Sequence, residues 1–146
     1  MAGESIVVFG TTKTLEANGG SIANNSIAQA DDATYDQVSD GASFMYADFV
    51  ASFTFGTAPT EGTVLALYAR PLDVDGTGDT EVPEAARPTR FVGSFVVNNV
   101  TTLQYAQIQE AIPPKLASYY MHNNATGQTV SAGWTLKVTP RSYKAA

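Results

Sequence analysis

The chain has 146 residues, 44% hydrophobic and 15% charged, with a net charge of −6. That length suits one domain that buries roughly 70% of its unfolded surface; the evenly mixed apolar content excludes a disordered chain, and scarce Lys and Glu exclude a coiled coil. With no Cys and one His, a disulfide framework, a thiolate nucleophile and a Cys- or His-rich metal site are excluded as well.

Taken in chain order, Met1 to Phe9 carries an acid at Glu4 and an apolar run too short for a secretory h-region, so no signal peptide is expected. Ser5, Ile6, Val7, Val8 and Phe9 read instead as a short apolar strand. It precedes a stretch containing Gly10, Gly19 and Gly20, so residues 1–20 are a candidate extended arm and Ser5 to Phe9 a candidate interface. Pairing of this strand inside its own sandwich is the preferred alternative. Leu15 to Ala30 holds only weak strand signals, around Ser21 to Ala23 and Ile27 to Ala30, and Asp31 to Tyr35 reads as a turn entering another strand.

From Tyr46 onward the pattern is alternation with period two. Phe49, Ala51, Phe53 and Phe55 fall on one face and Asp48, Val50, Ser52 and Thr54 on the other, as in a strand with one buried side. Thr63 to Arg70 is apolar on both faces at its centre, which suits a middle strand. A loop rich in Gly, Pro and acid follows from Pro71 to Pro88. Phe91 to Val97, Thr102 to Ile108 and Lys115 to His122 read as further strands, separated by Asn98-Asn99 and by Glu110 to Pro114. Gly133 to Pro140 sets Trp134, Leu136 and Val138 on one face, and Pro140 is expected to end it. No amphipathic helix stands out. The whole, residues 1–146, reads as a single all-β domain, an antiparallel β-sandwich of jelly-roll type with about eight strands and little or no helix.

Charge is segregated along the chain. Residues 1–84 hold thirteen acids against Lys13 and Arg70, a net of −11, and residues 85–146 hold six bases against Glu110, a net of +5. Either strands from the two halves pair and mix these charges, which is preferred, or the subunit is dipolar and packs unlike patches together. A basic nucleic-acid footprint is missing, so no nucleic-acid partner is expected. The uncharged stretches Phe91 to Gln109 and Leu116 to Leu136 are too polar to span a bilayer, so no membrane partner is expected either.

Few residues suggest chemistry. Counting from Asp73, the acids Asp73, Asp75, Asp79, Glu81 and Glu84 fall at positions 1, 3, 7, 9 and 12, with Gly78 at 6. That spacing is similar to a loop whose oxygen ligands wrap Ca2+, which makes Asp73, Asp75, Asp79 and Glu84 weak metal candidates. Pro71 excludes an entering helix, and a solvated acidic loop is the plainer reading, so no cofactor is expected beyond this Ca2+ alternative. His122 lacks any motif that supplies a nucleophile and an orienting acid, and a structural role is preferred. Tyr68, Tyr105, Tyr119, Tyr120 and Trp134 make a sugar-stacking platform or, more simply, core. No catalytic residue emerges, and an enzyme is not expected.

The segments LYARPLDVDGTGD, FVGSF, NNATG and AGWTLKVTP, spread over residues 45–143, resemble a family of small structural proteins of tailed bacteriophages. The resemblance implies a virion protein similar to capsid decoration, or cement, proteins. Such a protein is made in the host cytoplasm, sits on the outer surface of the head and bridges capsomers. Its implied partners are the major capsid protein and further copies of itself, with a trimer as the homo-oligomer the resemblance implies. A collar, tail or baseplate protein, or a carbohydrate-binding sandwich, is the alternative. The resemblance carries no catalytic residues.

Overall fold

A computed structural model describes residues 4–73, 80–87 and 89–145. Nine strands form: β1 (Ser5–Phe9), β2 (Lys13–Gly19), β3 (Ile27–Asp36), β4 (Tyr46–Phe53), β5 (Val64–Pro71), β6 (Arg90–Val96), β7 (Gln104–Ala111), β8 (Leu116–Asn124) and β9 (Trp134–Ala145). Among the described residues there is no helix. All pairings are antiparallel. One sheet runs β9-β4-β7, with β1 and β2 sharing the free side of β9; the other runs β3-β8-β5-β6. With β2 leading the first sheet, β2-β9-β4-β7 faces β3-β8-β5-β6, which is the double-sheet order of a jelly roll, and β1 is an addition to it.

The alternation expected over Tyr46 to Phe55 is what builds the interior. Phe49, Ala51, Phe53 and Phe55 are buried, as are Leu65, Leu67 and Ala69 of β5 and Trp134, Leu136 and Val138 of β9. Phe49 and Tyr119 meet across the two sheets with ring centroids 4.9 Å apart. The expected middle position of β5 holds: it lies between β8 and β6. Two close approaches depend on glycine. A Cβ on Gly19 would fall within the Trp134 indole, and one on Gly93 would stand 2.7 Å from Ile108 Cγ2. With Gly19 bare, the indole seats fully and its Nε1 donates to Gly20 O at 2.7 Å.

Several boundaries differ from the sequence expectation. Residues 13–19 form β2, which alternation misses because Glu16 is buried and the register against β9 shifts twice. Asp31 to Tyr35 is not a turn but the irregular middle of β3, where the register against β8 shifts between Ala30 and Tyr35. β7 does not end at Ile108; it continues to Ala111 through a register shift opposite Ala47 and Phe49, with Glu110 at φ 55°. Nor does Pro140 stop β9. Its carbonyl accepts Gly10 N–H at 2.9 Å, so its missing donor also faces that side, at the joint where the chain passes from β1 to β2. No ladder bond toward β4 is lost, and β9 runs on to Ala145.

Candidate functional site

Because the strands alternate in direction, the connections sort to two ends. Residues 20–26, 54–63, 97–103 and 125–133 lie at one end; residues 37–45, the β5–β6 connection and residues 112–115 lie at the other. The first end is closed by polar bonds. Asn123 is fully buried, and its Nδ2 donates to Ile22 O at 3.0 Å and Gln128 O at 2.7 Å. Its Oδ1 accepts from the buried Thr126 hydroxyl at 2.6 Å. Thr60 N–H donates to Thr126 O, which ties in a third connection. Gln104 folds back on the fourth, accepting from Asn98 N–H at 2.8 Å and donating to Asn98 O.

The second end carries most of the exposed large apolar side chains among the described residues. β1 pairs with the last residues of β9, Arg141 to Ala145, and β4 reaches this part of β9 at Arg141 alone. The result is a two-stranded ribbon that projects from the sandwich. Ile6 is 50% exposed, Val7 41%, Phe9 56% and Tyr143 45%. Ile6 lies on one face of the ribbon and Val7, Phe9 and Tyr143 on the other, so neither face is covered. Val38, Met45, Val82, Phe91 and Ile112 are also exposed at this end. Among the described residues, nine of the thirteen exposed large apolar side chains lie here, while Val96, Val100, Leu103 and Tyr105 belong to the other end.

A charged cluster anchors the ribbon. Arg141 is mostly buried and lies 3.4 Å from the Asp48 carboxylate and 3.1 Å from that of Glu110. Asp48 also accepts Glu110 N–H at 2.9 Å. The left-handed backbone at Glu110 returns its side chain to Arg141 and to the Tyr143 hydroxyl. Arg141 also lies over the Phe9 and Tyr143 rings, 5.7 and 5.5 Å from their centroids. The pair Asp48–Arg141 joins an acid of the N-terminal half to a base of the C-terminal half, so the charges mix there across the fold, as preferred from the sequence.

The other sequence candidates fall as follows. Ser5 to Phe9 form β1 and pair with the chain's own β9. Asp75 and Asp79 lie outside the described residues. Asp73 Oδ1 accepts Leu116 N–H at 2.7 Å, and Glu84 pairs with Arg87 at 3.3 Å. A different acidic group, Glu16, Asp31 and Asp32, brings its carboxylate oxygens within 4.8 Å of one another. The Glu16 oxygens already accept the N–H groups of Asn18 and Asp31, and an Asp32 oxygen that of Ala17, so the group serves to join β2 to β3. No periodicity reveals it, since its members stand far apart in the chain.

His122 is buried on the outer side of β8, 6.2 Å from the Tyr68 ring centroid, and its Nδ1 has no partner. Burial lowers its pKa. Burial also raises the pKa of the Tyr35 and Tyr119 hydroxyls. The aromatic residues do not converge on a platform. Trp134 and Tyr119 are in the core, Tyr68 and Tyr120 are buried on the opposite side of the second sheet, and Tyr105 alone of the five is exposed.

No protein-family model matches the chain, and no curated protein matches it. Among solved structures it is similar to a chain in the structure of infectious bursal disease virus Gx strain, at 16% identity and a TM-score of 0.42. That match covers 93% of this chain and 32% of the other, so this chain spans about a third of the length of that one. It is also similar to a chain of the Bacillus endospore appendages, which form a family of disulfide-linked pili, at 8% identity and a TM-score of 0.32. That match covers 97% and 92% of the two chains, and the present chain has no Cys. At these values neither likeness carries a role over to this chain.

Proposed function

We propose that this chain is a non-enzymatic structural subunit of a virion, a decoration protein on the outer surface of a tailed-phage head. It docks through the end that carries the β1–β9 ribbon and bridges neighbouring capsomers there. The observation that carries this reading is the gathering of nine of the thirteen exposed large apolar side chains among the described residues at one end of the sandwich, where a ribbon presents them on both faces, against four at the end that Asn123 ties together. Ile6 and Phe9 leave about half of their surface in water in the free subunit, and burying that half against a partner contributes about 1 kcal/mol each. The low charge supports the same role, because uncharged polar surface enters an interface without the desolvation cost of ions. The sequence resemblance supplies the phage context.

The test is reconstitution. The purified protein is expected to sediment with heads stripped of it and not with free capsid protein. A variant carrying Ile6→Ser and Phe9→Ser is expected to lose this binding while keeping its β-sheet spectrum. Absence of the protein from purified virions contradicts the reading, and so does binding unchanged by the double substitution.

A further inference from the structure

The open side of β1 has a hydrogen-bonding phase that the ribbon itself fixes. Gly10 N–H points at β9, where it donates to Pro140 O at 2.9 Å. Backbone groups along a strand alternate in direction, so Val8 and Ile6 also face β9, and Ser5, Val7 and Phe9 face away. Among the described residues no strand pairs with that side of β1. The segment Ser5 to Phe9 contains no charge and no proline, and so lacks the features that usually protect such an edge.

We propose that this edge pairs antiparallel with the same edge of a second copy, about a two-fold axis at Val7. This deepens the virion role and rests on it for its purpose, though not for its geometry. In this register Val7 meets Val7, Ser5 meets Phe9 and Ile6 meets Val8 of the second copy. Each outward N–H and C=O of Ser5, Val7 and Phe9 then finds a partner, in a closed, self-complementary interface. The register also places Glu4 of each copy opposite Gly10 of the other. Lys13 is held within its own subunit by Asp40 at 2.6 Å, so charge does not join the copies. A second copy is favoured over a foreign strand because the uncharged run centred on Val7 is its own complement, and a two-fold axis there leaves no outward group of Ser5, Val7 or Phe9 unpaired. Pairing joins the Val7, Phe9 and Tyr143 faces of two subunits into one apolar surface, suited to a protein that bridges its neighbours on a shell.

The experiment uses the whole chain. Light scattering at about 100 μM is expected to show a dimer, since a single strand pair falls below the area of a standard stable interface. Val7→Pro removes an outward N–H and no bond to β9, and is expected to weaken dimerisation about tenfold or more with an unchanged β spectrum. The chain has no Cys of its own, so a cross-linking test is clean. Ile6→Cys mixed with Val8→Cys is expected to form a covalent dimer on oxidation, and neither variant alone. This pair keeps the test open should the proline variant fail to fold. A monomer, a trimer, a dimer indifferent to Val7→Pro, or cross-linking in the single variants overturns the two-fold pairing. A dimer that is absent from virions leaves the pairing standing and removes the virion role; a monomer bound to virions does the reverse.

Discussion

Around Asn123, three connections share hydrogen bonds about one buried amide and expose little apolar surface. Around Arg141, at the opposite end, a ribbon leaves the body with apolar side chains on both faces, held by one mostly buried cation between two acids. The same strands thus end in two different chemistries. Buried, satisfied polar groups fix the loops of one end relative to one another. The other end keeps surface whose burial is still outstanding, and a two-stranded ribbon outside the core adds little to the stability of the fold. One end is tied together by buried polar bonds, and the other leaves apolar surface open.

Substitutions sharpen this contrast when ordered by expected size. Trp134→Ala empties the core next to Gly19 and strands Gly20 O, and is expected to cost about 3–5 kcal/mol in chemical unfolding. Asn123→Ala removes one of the two donors to Ile22 O and to Gln128 O and an acceptor of the buried Thr126 hydroxyl, and is expected to cost about 1–3 kcal/mol. Arg141→Ala leaves Asp48 uncompensated at the root of the ribbon, for about 1–2 kcal/mol. Its sharper signature is faster hydrogen exchange at the β1 amides with the Asn123 end unchanged. If exchange rises equally at both ends, the two are not independent. Ile6→Ser with Phe9→Ser is expected to change stability by less than about 1 kcal/mol, since both side chains lie outside the core and are about half exposed, with Phe9 under Arg141.

Acid supplies a further test, read in slope. Burial holds the folded His122 pKa below the usual histidine value, so the unfolded chain binds its proton first. The stability tied to this group is complete above about pH 6.5 and is lost as pH falls through the lowered folded pKa. His122→Gln is expected to flatten the fall of the unfolding midpoint below about pH 6.5 relative to the parent; an unchanged slope assigns the acid sensitivity elsewhere.

Alternation made the core strands legible, because Phe49 to Phe55 and Trp134 to Val138 show their buried faces directly in their spacing. β2 was hidden by a buried Glu16 whose oxygens are satisfied by backbone N–H groups, something no pattern of apolar residues reports. Pro140 misled because its effect depends on which neighbour its missing donor faces, a property of the β1–β2 joint and not of the residue. Ser5 to Phe9 was visible as an apolar strand, yet its exposure was not, since a run of apolar residues reads alike in a core and on a ribbon. The gathering of Phe9, Val38, Phe91 and Ile112 at one end needs the topology, as these residues come from four separate parts of the chain.

The central claim is that the ribbon end is the docking end. Electron microscopy of purified virions, at a resolution that orients the sandwich, tests it most directly. The account predicts density for this chain on the outside of the head, with β1 and the last residues of β9 against neighbouring subunits and the Asn123 end turned to solvent. Density with the Asn123 end against the shell and the ribbon free in solvent would contradict it.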